Sequence, residues 1–398
     1  MDITISPGKL TGTIAAIPSK SQAHRLLICA AFADRKTTMI CPDTNRDIEA
    51  TVDCLNALGA CIVPTQSGYE IMPVSQIPRK ATLDCHESGS TLRFMLPIVG
   101  ALGVDATFLM AGRLPQRPLS PLWEEMERMG CSLIRPSADT LRCCGKLKCG
   151  NYAIAGNVSS QFITGLLFAA ALMNGNSRIE VLGVLESKPY VEMTQKAMAL
   201  FGIDTTHYEI KGGQAFRTPG TLTVEGDWSN GAFWLAANAL GSTLDVTNLC
   251  PDSPQGDRTV TNFLHALNYQ ISIDATHTPD LVPILSIVAG AKKGSTFLNC
   301  GRLRIKETDR LETTAAMVQA LGGYAEIIGD SLIIKATGYR GGIVDAKGDH
   351  RIAMSAAIAA TVSTGPVTIL NAHEVKKSYP GFWEDYRKLG GCYELYLR

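Results

Sequence analysis

The chain has 398 residues, more than one ordinary hydrophobic core supports and suited to two domains. With 45% hydrophobic residues it can bury sizeable cores, which argues against disorder. Its 37 Lys and Arg balance 37 Asp and Glu, which argues against a nucleic-acid or membrane-surface protein, so any anion chemistry must come from local clustering.

The opening "MDITISPGKL" has no charged segment ahead of an apolar run, so no secretory leader is expected. Residues 17–33, "IPSKSQAHRLLICAAFA", place Ser19, Lys20, Ser21, His24 and Arg25 at the head of an apolar stretch. This predicts a buried helix with two cations at its start, which is costly unless something negative sits there. "DIEATVDCLNALGACI" follows as an amphipathic surface helix, ending in glycine where a left-handed C-cap belongs. The pair then recurs along the chain. "HESGSTLRFMLPIVGALG" precedes "LSPLWEEMERMGCSL", and "VSSQFITGLLFAAALMNG" precedes "VEMTQKAMALFGIDT". "DWSNGAFWLAANALG" precedes "RTVTNFLHALNYQIS", "HTPDLVPILSIVAGAKKG" precedes "LETTAAMVQALGGYAE", and "GDHRIAMSAAIAATVSTG" precedes "YPGFWEDYRKLGGCYE".

After each buried helix a strand is predicted, starting near residues 37, 106, 177, 242, 295 and 366. Asn268 replaces the capping glycine of the fourth surface helix, and Pro97 and Pro283 inside two buried helices predict kinks. Six units of about 65 residues make a pseudo-symmetric α/β protein, split three and three near residues 223–231. The twelve cysteines are scattered, several in apolar context (Cys29, Cys41, Cys54), which reads as reduced thiols and a cytoplasmic protein. "CCGKLKC" at 143–149 lacks the paired spacing and histidines of a zinc site, so no metal is expected. No apolar run approaches the ~20 residues of a membrane span.

A helix start exposes unpaired N–H groups and partial positive charge. If three buried helices in each domain share a direction, their heads form an anion-attracting cleft. The residues at these heads are Lys20, Ser21 and Arg25; Gly89, Ser90 and Arg93; Ser159, Ser160 and Gln161; Asp280; and His350 and Arg351. Loops entering the surface helices add Arg117, Ser187, Tyr190, Lys306, Glu307, Arg310 and Lys377. Eight cations against two acids, Asp280 and Glu307, leave a local excess of six. That suits two small ligands carrying two phosphates and two carboxylates, roughly −5 to −6 in all. Singly, several of these residues have plainer readings: Ser159 and Ser160 as N-caps, Asp280 as a cap after Pro279, "KETDR" as a solvated ion-paired helix start, His350 as structural. Their recurrence at equivalent places in a repeat favours a shared site.

"PSKSQAHR", "ESGSTLR", "QRP", "VSSQF", "SKPY", "PD" at 279–280, "RIKETDR", "GDHR" and "KKSYP" resemble, in order, the 5-enolpyruvylshikimate-3-phosphate synthase family across nearly the whole chain. The resemblance implies a two-domain inside-out α/β barrel, each domain three repeats of a βαβαββ-type unit around buried parallel helices. It implies domains of residues 15–225 and of 1–14 with 226–398, the chain crossing twice. It implies transfer of the enolpyruvyl group of phosphoenolpyruvate to the 5-hydroxyl of shikimate 3-phosphate, by addition and elimination, with no cofactor or metal, by a cytoplasmic monomer. By the same resemblance Lys20, Ser21, Arg25, Ser159, Ser160, Gln161, Ser187, Tyr190, Asp280 and Lys306 hold shikimate 3-phosphate. Lys20, Gly89, Arg117, Gln161, Arg310, Arg351 and Lys377 hold phosphoenolpyruvate. Asp280 is the base for the hydroxyl, Lys20 and Glu307 handle the proton at the methylene carbon, and His350 is a secondary candidate.

Two departures stand out. Glu87 replaces the family's usual Asn, which predicts weaker phosphoenolpyruvate affinity unless the carboxylate turns away or pairs with Arg93 or Arg117. Arg302 stands where an Asn contact is expected and is left out of the site. The nearest rival, the transferase acting on UDP-N-acetylglucosamine, carries a Lys-Asn pair near its start and a reactive loop cysteine. Here the loop before Arg117 reads "AGRLPQRP" and has none. A non-catalytic anion-binding protein on the same scaffold would have no need of Lys20, Asp280 and Glu307 together.

Overall fold

Among the described residues six helices are buried on almost every side, and six alternate with them on the surface. The computed structural model, which describes residues 1–396, places the buried set at α1 (Lys20–Ala31), α3 (Gly89–Leu102), α5 (Ser160–Leu172), α7 (Trp228–Ala239), α9 (Val282–Ala291) and α11 (His350–Ala359). The amphipathic set is α2 (Arg46–Ala57), α4 (Leu122–Arg128), α6 (Lys188–Leu200), α8 (Val260–Ala266), α10 (Arg310–Ala320) and α12 (Phe382–Lys388). A helix apolar all round must be enclosed. Strands that alternate buried and exposed residues do the enclosing: in Ser177–Leu182, Ser177 and Ile179 point inward while Arg178 and Glu180 face solvent.

The chain forms two compact units, Pro18–Val224 and Met1–Ile17 joined to the chain from Glu225 onward. In the first, Lys80–Asp84 runs parallel to Asp105–Leu109 across α3, and Asn151–Ala155 parallel to Ser177–Leu182 across α5. The third parallel pair, Thr221–Thr223 with Thr37–Ile40, joins the two ends of the unit. In the second unit the equivalent pairs are Ile271–Asp274 with Ser295–Leu298 and Gly342–Asp345 with Val367–Leu370. Thr11–Ala15 pairs in parallel with Thr243–Thr247, which keeps residue 15 in this unit. Strand Asp2–Ile5 lies between Val367–Leu370 and Tyr393–Tyr396, antiparallel to both. The result is a mixed α/β fold of six separate small sheets, none of which closes into a barrel among the described residues. No helix among them is long and apolar enough to cross a membrane.

The strands after the buried helices begin at Thr37, Asp105, Ser177, Thr243, Ser295 and Val367, within one residue of expectation. Two local expectations fail. Pro283 lies inside α9 as expected but in its first turn, where its missing N–H has no helical partner to lose and no kink follows. Asn268 does not take the left-handed conformation; its side chain instead donates to the His265 carbonyl at 2.9 Å and accepts from Lys292 Nζ at 2.8 Å. Pro97 does lie within α3, and α5 packs there through Gly165. A Cβ on Gly165 would sit 2.3 Å from the Arg93 carbonyl, the one whose helical partner Pro97 removes.

Candidate active site

In the unit Pro18–Val224 three serines cap the buried helices. Ser19, Ser88 and Ser159 accept from the backbone N–H groups of Gln22, Thr91 and Gln161. The capping reading of Ser159 is therefore correct, and Ser160 is the first residue of α5; both are buried. Arg25 is 2% exposed. Its Nε donates to Thr194 Oγ1 at 2.8 Å, Nη1 to the Ser21 carbonyl at 2.7 Å, and Nη2 to the Tyr190 carbonyl at 2.9 Å. It also stacks 5.2 Å from the Phe94 ring centre. Every one of these partners is neutral. Burial lowers its pKa to about 10, so it remains a buried cation at neutral pH, and no carboxylate among the described residues is paired with it.

Lys20 Nζ pairs with Asp47 Oδ2 at 2.8 Å, an acid in the first turn of α2 that the helix-head pattern does not single out. Gln161 bridges α5 to α3, donating to Ser90 Oγ at 2.9 Å and accepting from Arg93 Nη1 at 3.3 Å. Arg93 also donates to the Pro118 carbonyl at 2.9 Å, which ties the loop carrying Arg117 to the head of α3. A Cβ on Gly89 would lie 2.6 Å from Nη1 of both Arg117 and Arg93. Gly89→Ala should therefore displace both guanidinium groups; we expect the KM for phosphoenolpyruvate to rise about tenfold with kcat little changed. Steady-state kinetics with saturating shikimate 3-phosphate checks this, and an unchanged KM excludes it.

Ser187 is buried with φ of +54°, a conformation a non-glycine residue rarely holds without a reason. It begins α6, and the Tyr190 N–H donates to its carbonyl at 3.0 Å. Glu87 is exposed, and its carboxyl lies over Gly112, where a Cβ would meet Oε1 at 2.5 Å. It thus turns toward the loop that precedes Arg117. Glu87→Asn is expected to lower the KM for phosphoenolpyruvate only about twofold, the scale of one exposed charge at a distance in water. An unchanged KM would remove that charge from the account.

In the other unit the heads are capped by acids. Asp227 accepts from the Asn230 N–H at 2.8 Å and Asp349 from the Arg351 N–H at 2.9 Å. Asp280 is not a cap: it sits in the turn Pro279–Leu281 ahead of α9, where no side chain caps the helix. It meets Arg310 Nη1 at 2.7 Å, Lys306 Nζ at 3.2 Å and Arg351 Nη2 at 3.5 Å. Arg310, 1% exposed, also binds Asp349 Oδ2 through Nε at 2.7 Å and pairs with Glu307, so "KETDR" is no solvated helix start. Arg351 Nη2 donates to Ser229 Oγ at 2.7 Å, linking α11 to α7. His350 and Lys377 are buried, the latter ending the turn Ala372–Lys377 that packs on α11.

Burial alone would raise the Asp280 pKa, but Lys306, Arg351 and Arg310 outweigh it and hold the carboxyl well below the usual range. Burial lowers Lys306 to about 8 against the pull of Asp280. Its charge in the free enzyme should then fade above pH 8. The kcat/KM for shikimate 3-phosphate is expected to fall along an alkaline limb near that value, and Lys306→Arg should move the limb upward. An unmoved limb assigns it to another group.

The expected excess of six positive charges is not what the structure holds. In the unit Pro18–Val224 an added acid, Asp47, sits on Lys20, so the four cations Lys20, Arg25, Arg93 and Arg117 do not all stand as excess charge. Lys306, Arg310 and Arg351 meet Asp280, Glu307, Asp349 and Asp257, three cations against four acids, for −1 with all acids ionised. Asp257, missed by the sequence reading, is itself pushed up to about 6 by burial and the neighbouring Asp280. Asp349 and Asp47 were missed for the same reason: "GDHR" and "NRDIE" look like ordinary helix starts.

The mixed α/β fold has structural neighbours over nearly its whole length. The chain matches the EPSP synthase from Acinetobacter baumannii with a TM-score of 0.82 at 21% identity, covering 100% of both chains. It matches the enolpyruvyl transferase NikO from Streptomyces tendae with a TM-score of 0.76 at 17% identity, covering 99% of this chain and 98% of that one. The family model for EPSP synthase (3-phosphoshikimate 1-carboxyvinyltransferase) matches residues 5–277 and 269–386. The 3-phosphoshikimate 1-carboxyvinyltransferases of Clostridium kluyveri and Clostridioides difficile are 40% and 36% identical, each aligned over 98% of this chain and 97% of its own length. The chain belongs to the EPSP synthase family and is a transferase.

Proposed function

We infer that the chain transfers the enolpyruvyl group of phosphoenolpyruvate to the 5-hydroxyl of shikimate 3-phosphate and releases phosphate. The observation that carries this is Arg25, a buried guanidinium whose partners are all neutral and which suits an acidic ligand. Shikimate 3-phosphate is assigned to Lys20, Ser21, Arg25, Ser159, Ser160, Gln161, Ser187, Tyr190, Asp280 and Lys306. Phosphoenolpyruvate is assigned to Lys20, Gly89, Arg117, Gln161, Arg310, Arg351 and Lys377. The scaffold we propose is two three-repeat inside-out domains, each built around buried parallel helices and bounded at Pro18–Val224 and at Met1–Ile17 with the chain from Glu225 onward, in place of the expected boundaries at residues 15 and 225. Twelve unbridged cysteines support a reducing, cytoplasmic setting, and a monomer is the assembly to test by light scattering.

The chemistry requires a proton on the methylene carbon, attack of the 5-oxygen on C2, and loss of the hydroxyl proton. Phosphate then leaves as the methyl group returns its proton. Lys20 and Glu307 serve the carbon and Asp280 the hydroxyl. Asp280 with three cations on it is a weak base. Anions that engage Lys306, Arg310 and Arg351 compete for those same cations. Each ion pair exchanged restores basicity to Asp280, so the base becomes strong only with both substrates bound. Phosphate release with both substrates present is the test. Release that needs both, and fails when UDP-N-acetylglucosamine replaces shikimate 3-phosphate, sustains the assignment; binding without release marks a binding protein.

A further inference from the structure

Beneath the heads of α1, α2 and α3 lies a row of polar side chains that the proposed chemistry does not use. His24, Thr51, Thr91 and Ser88 are 1%, 0%, 0% and 0% exposed. His24 Nδ1 meets Thr51 Oγ1 at 2.7 Å, Thr51 Oγ1 meets Thr91 Oγ1 at 2.7 Å, and Thr91 Oγ1 donates to Ser88 Oγ at 2.7 Å. A hydroxyl has one proton to give. That of Thr91 goes to Ser88, with the Asp47 carbonyl, which can only accept, on the same side at 3.4 Å. Thr91 must then accept the proton of Thr51, and Thr51 must accept Nδ1–H of His24. The row has one direction, and it fixes His24 as the neutral Nδ1–H tautomer. Burial agrees, lowering the imidazole pKa to about 3.

The row ends on the residue that sets the first turn of α3. Ser88 Oγ also accepts the Thr91 N–H at 3.3 Å, and the next residue, Gly89, is the one against which Arg93 and Arg117 lie. Apolar side chains would fill this core without the desolvation that four polar groups entail. We propose that His24, Thr51 and Thr91 are positioning residues for phosphoenolpyruvate, a directed hydrogen-bond row that holds Ser88 and thereby Gly89 in place. This rests on the assignment of Gly89 and Arg117 to phosphoenolpyruvate.

Thr91→Val and Thr51→Val remove a hydroxyl and keep the shape, while Thr91→Ser keeps the hydroxyl. Both valine variants are expected to raise the KM for phosphoenolpyruvate about five- to tenfold, the scale of one buried hydrogen bond. The kcat should stay within about twofold, shikimate 3-phosphate binding by calorimetry should be unchanged, and Thr91→Ser should restore the KM. In nitrogen-15 spectra of the wild type, His24 (assigned by its loss in His24→Gln) should show a protonated Nδ1 and no titration between about pH 5.5 and 8.5. Arg117→Ala separates the two levels of inference. If it leaves the KM unchanged, the site assignment falls and this proposal with it. If it raises the KM while the valine variants do not, or if serine behaves like valine, the proposal alone falls. A titrating or Nε2-protonated His24 overturns the row even where a valine variant fails to fold.

Discussion

Arg310→Met is expected to cost about 3–5 kcal/mol of stability, the usual effect of removing one partner from a buried ion-pair network. Arg310 is 1% exposed, and three carboxylates converge on it: Asp280, Glu307 and Asp349, the last fully buried. Methionine fills the volume but leaves three acids to share Lys306 and Arg351. At roughly 2–4 °C per kcal/mol for a domain of this size, the melting temperature should fall by about 10 °C. The sign of the pH dependence follows from Asp280, whose folded pKa lies below its unfolded value near 4. Its contribution is present above pH 4 and is lost as pH falls through the folded value. The gap between wild type and variant should therefore be widest near pH 7 and narrow in acid, while Arg310→Lys, charged but without the fork, should fall between them. Thermal melts at pH 7.5 and at about pH 2.5, below the unfolded value, decide; a gap that does not change with pH means the arginine serves packing rather than charge.

Asp280→Asn should lower kcat by about 10²–10⁴-fold, the usual contribution of a positioned base. Asparagine keeps the shape and loses the charge. Lys306, Arg310 and Arg351 then lose one competitor, so phosphoenolpyruvate and shikimate 3-phosphate should bind as well as before or more tightly. That combination, lower turnover with undiminished affinity, separates a base from a mere anchor. In the wild type, the acidic limb of kcat, which reports the ternary complex, should lie at higher pH than that of kcat/KM, which reports the free enzyme. Coincident limbs would show that substrate anions do not draw the cations away. A loss of turnover under tenfold would remove Asp280 from the base role.

The six helix heads were legible because each prints the same local pattern, polar residues followed by an apolar run, and local patterns survive without an alignment. The strands were placed within one residue because the loops between are short and carry glycine or aspartate. Pro283 misled because a proline reads as a breaker wherever it falls in an apolar run, although the first turn accepts it. Asn268 misled because the preference for the left-handed conformation is weak beside a good side-chain partner, here Lys292 from a segment 24 residues away. The charge balance of the site was the least legible feature. Asp47, Asp257 and Asp349 lie far in sequence from the cations they meet, and nothing in "NRDIE", "PQGDR" or "GDHR" distinguishes a counter-ion from a surface acid.

Strand Asp2–Ile5 occupies the interior of its sheet, with Val367–Leu370 on one side and Tyr393–Tyr396 on the other. Residues 2–5 thus belong with residues 367–370 and 393–396, far along the chain. Pro18–Val224 has its own partners as soon as it emerges, whereas Asp2–Ile5 must wait unpaired until residues 367–370 and 393–396 have been made. Completion of this sheet is therefore bound to synthesis of those later strands, and a nascent chain stalled before residue 367 would hold one finished unit and one that lacks both neighbours for strand Asp2–Ile5.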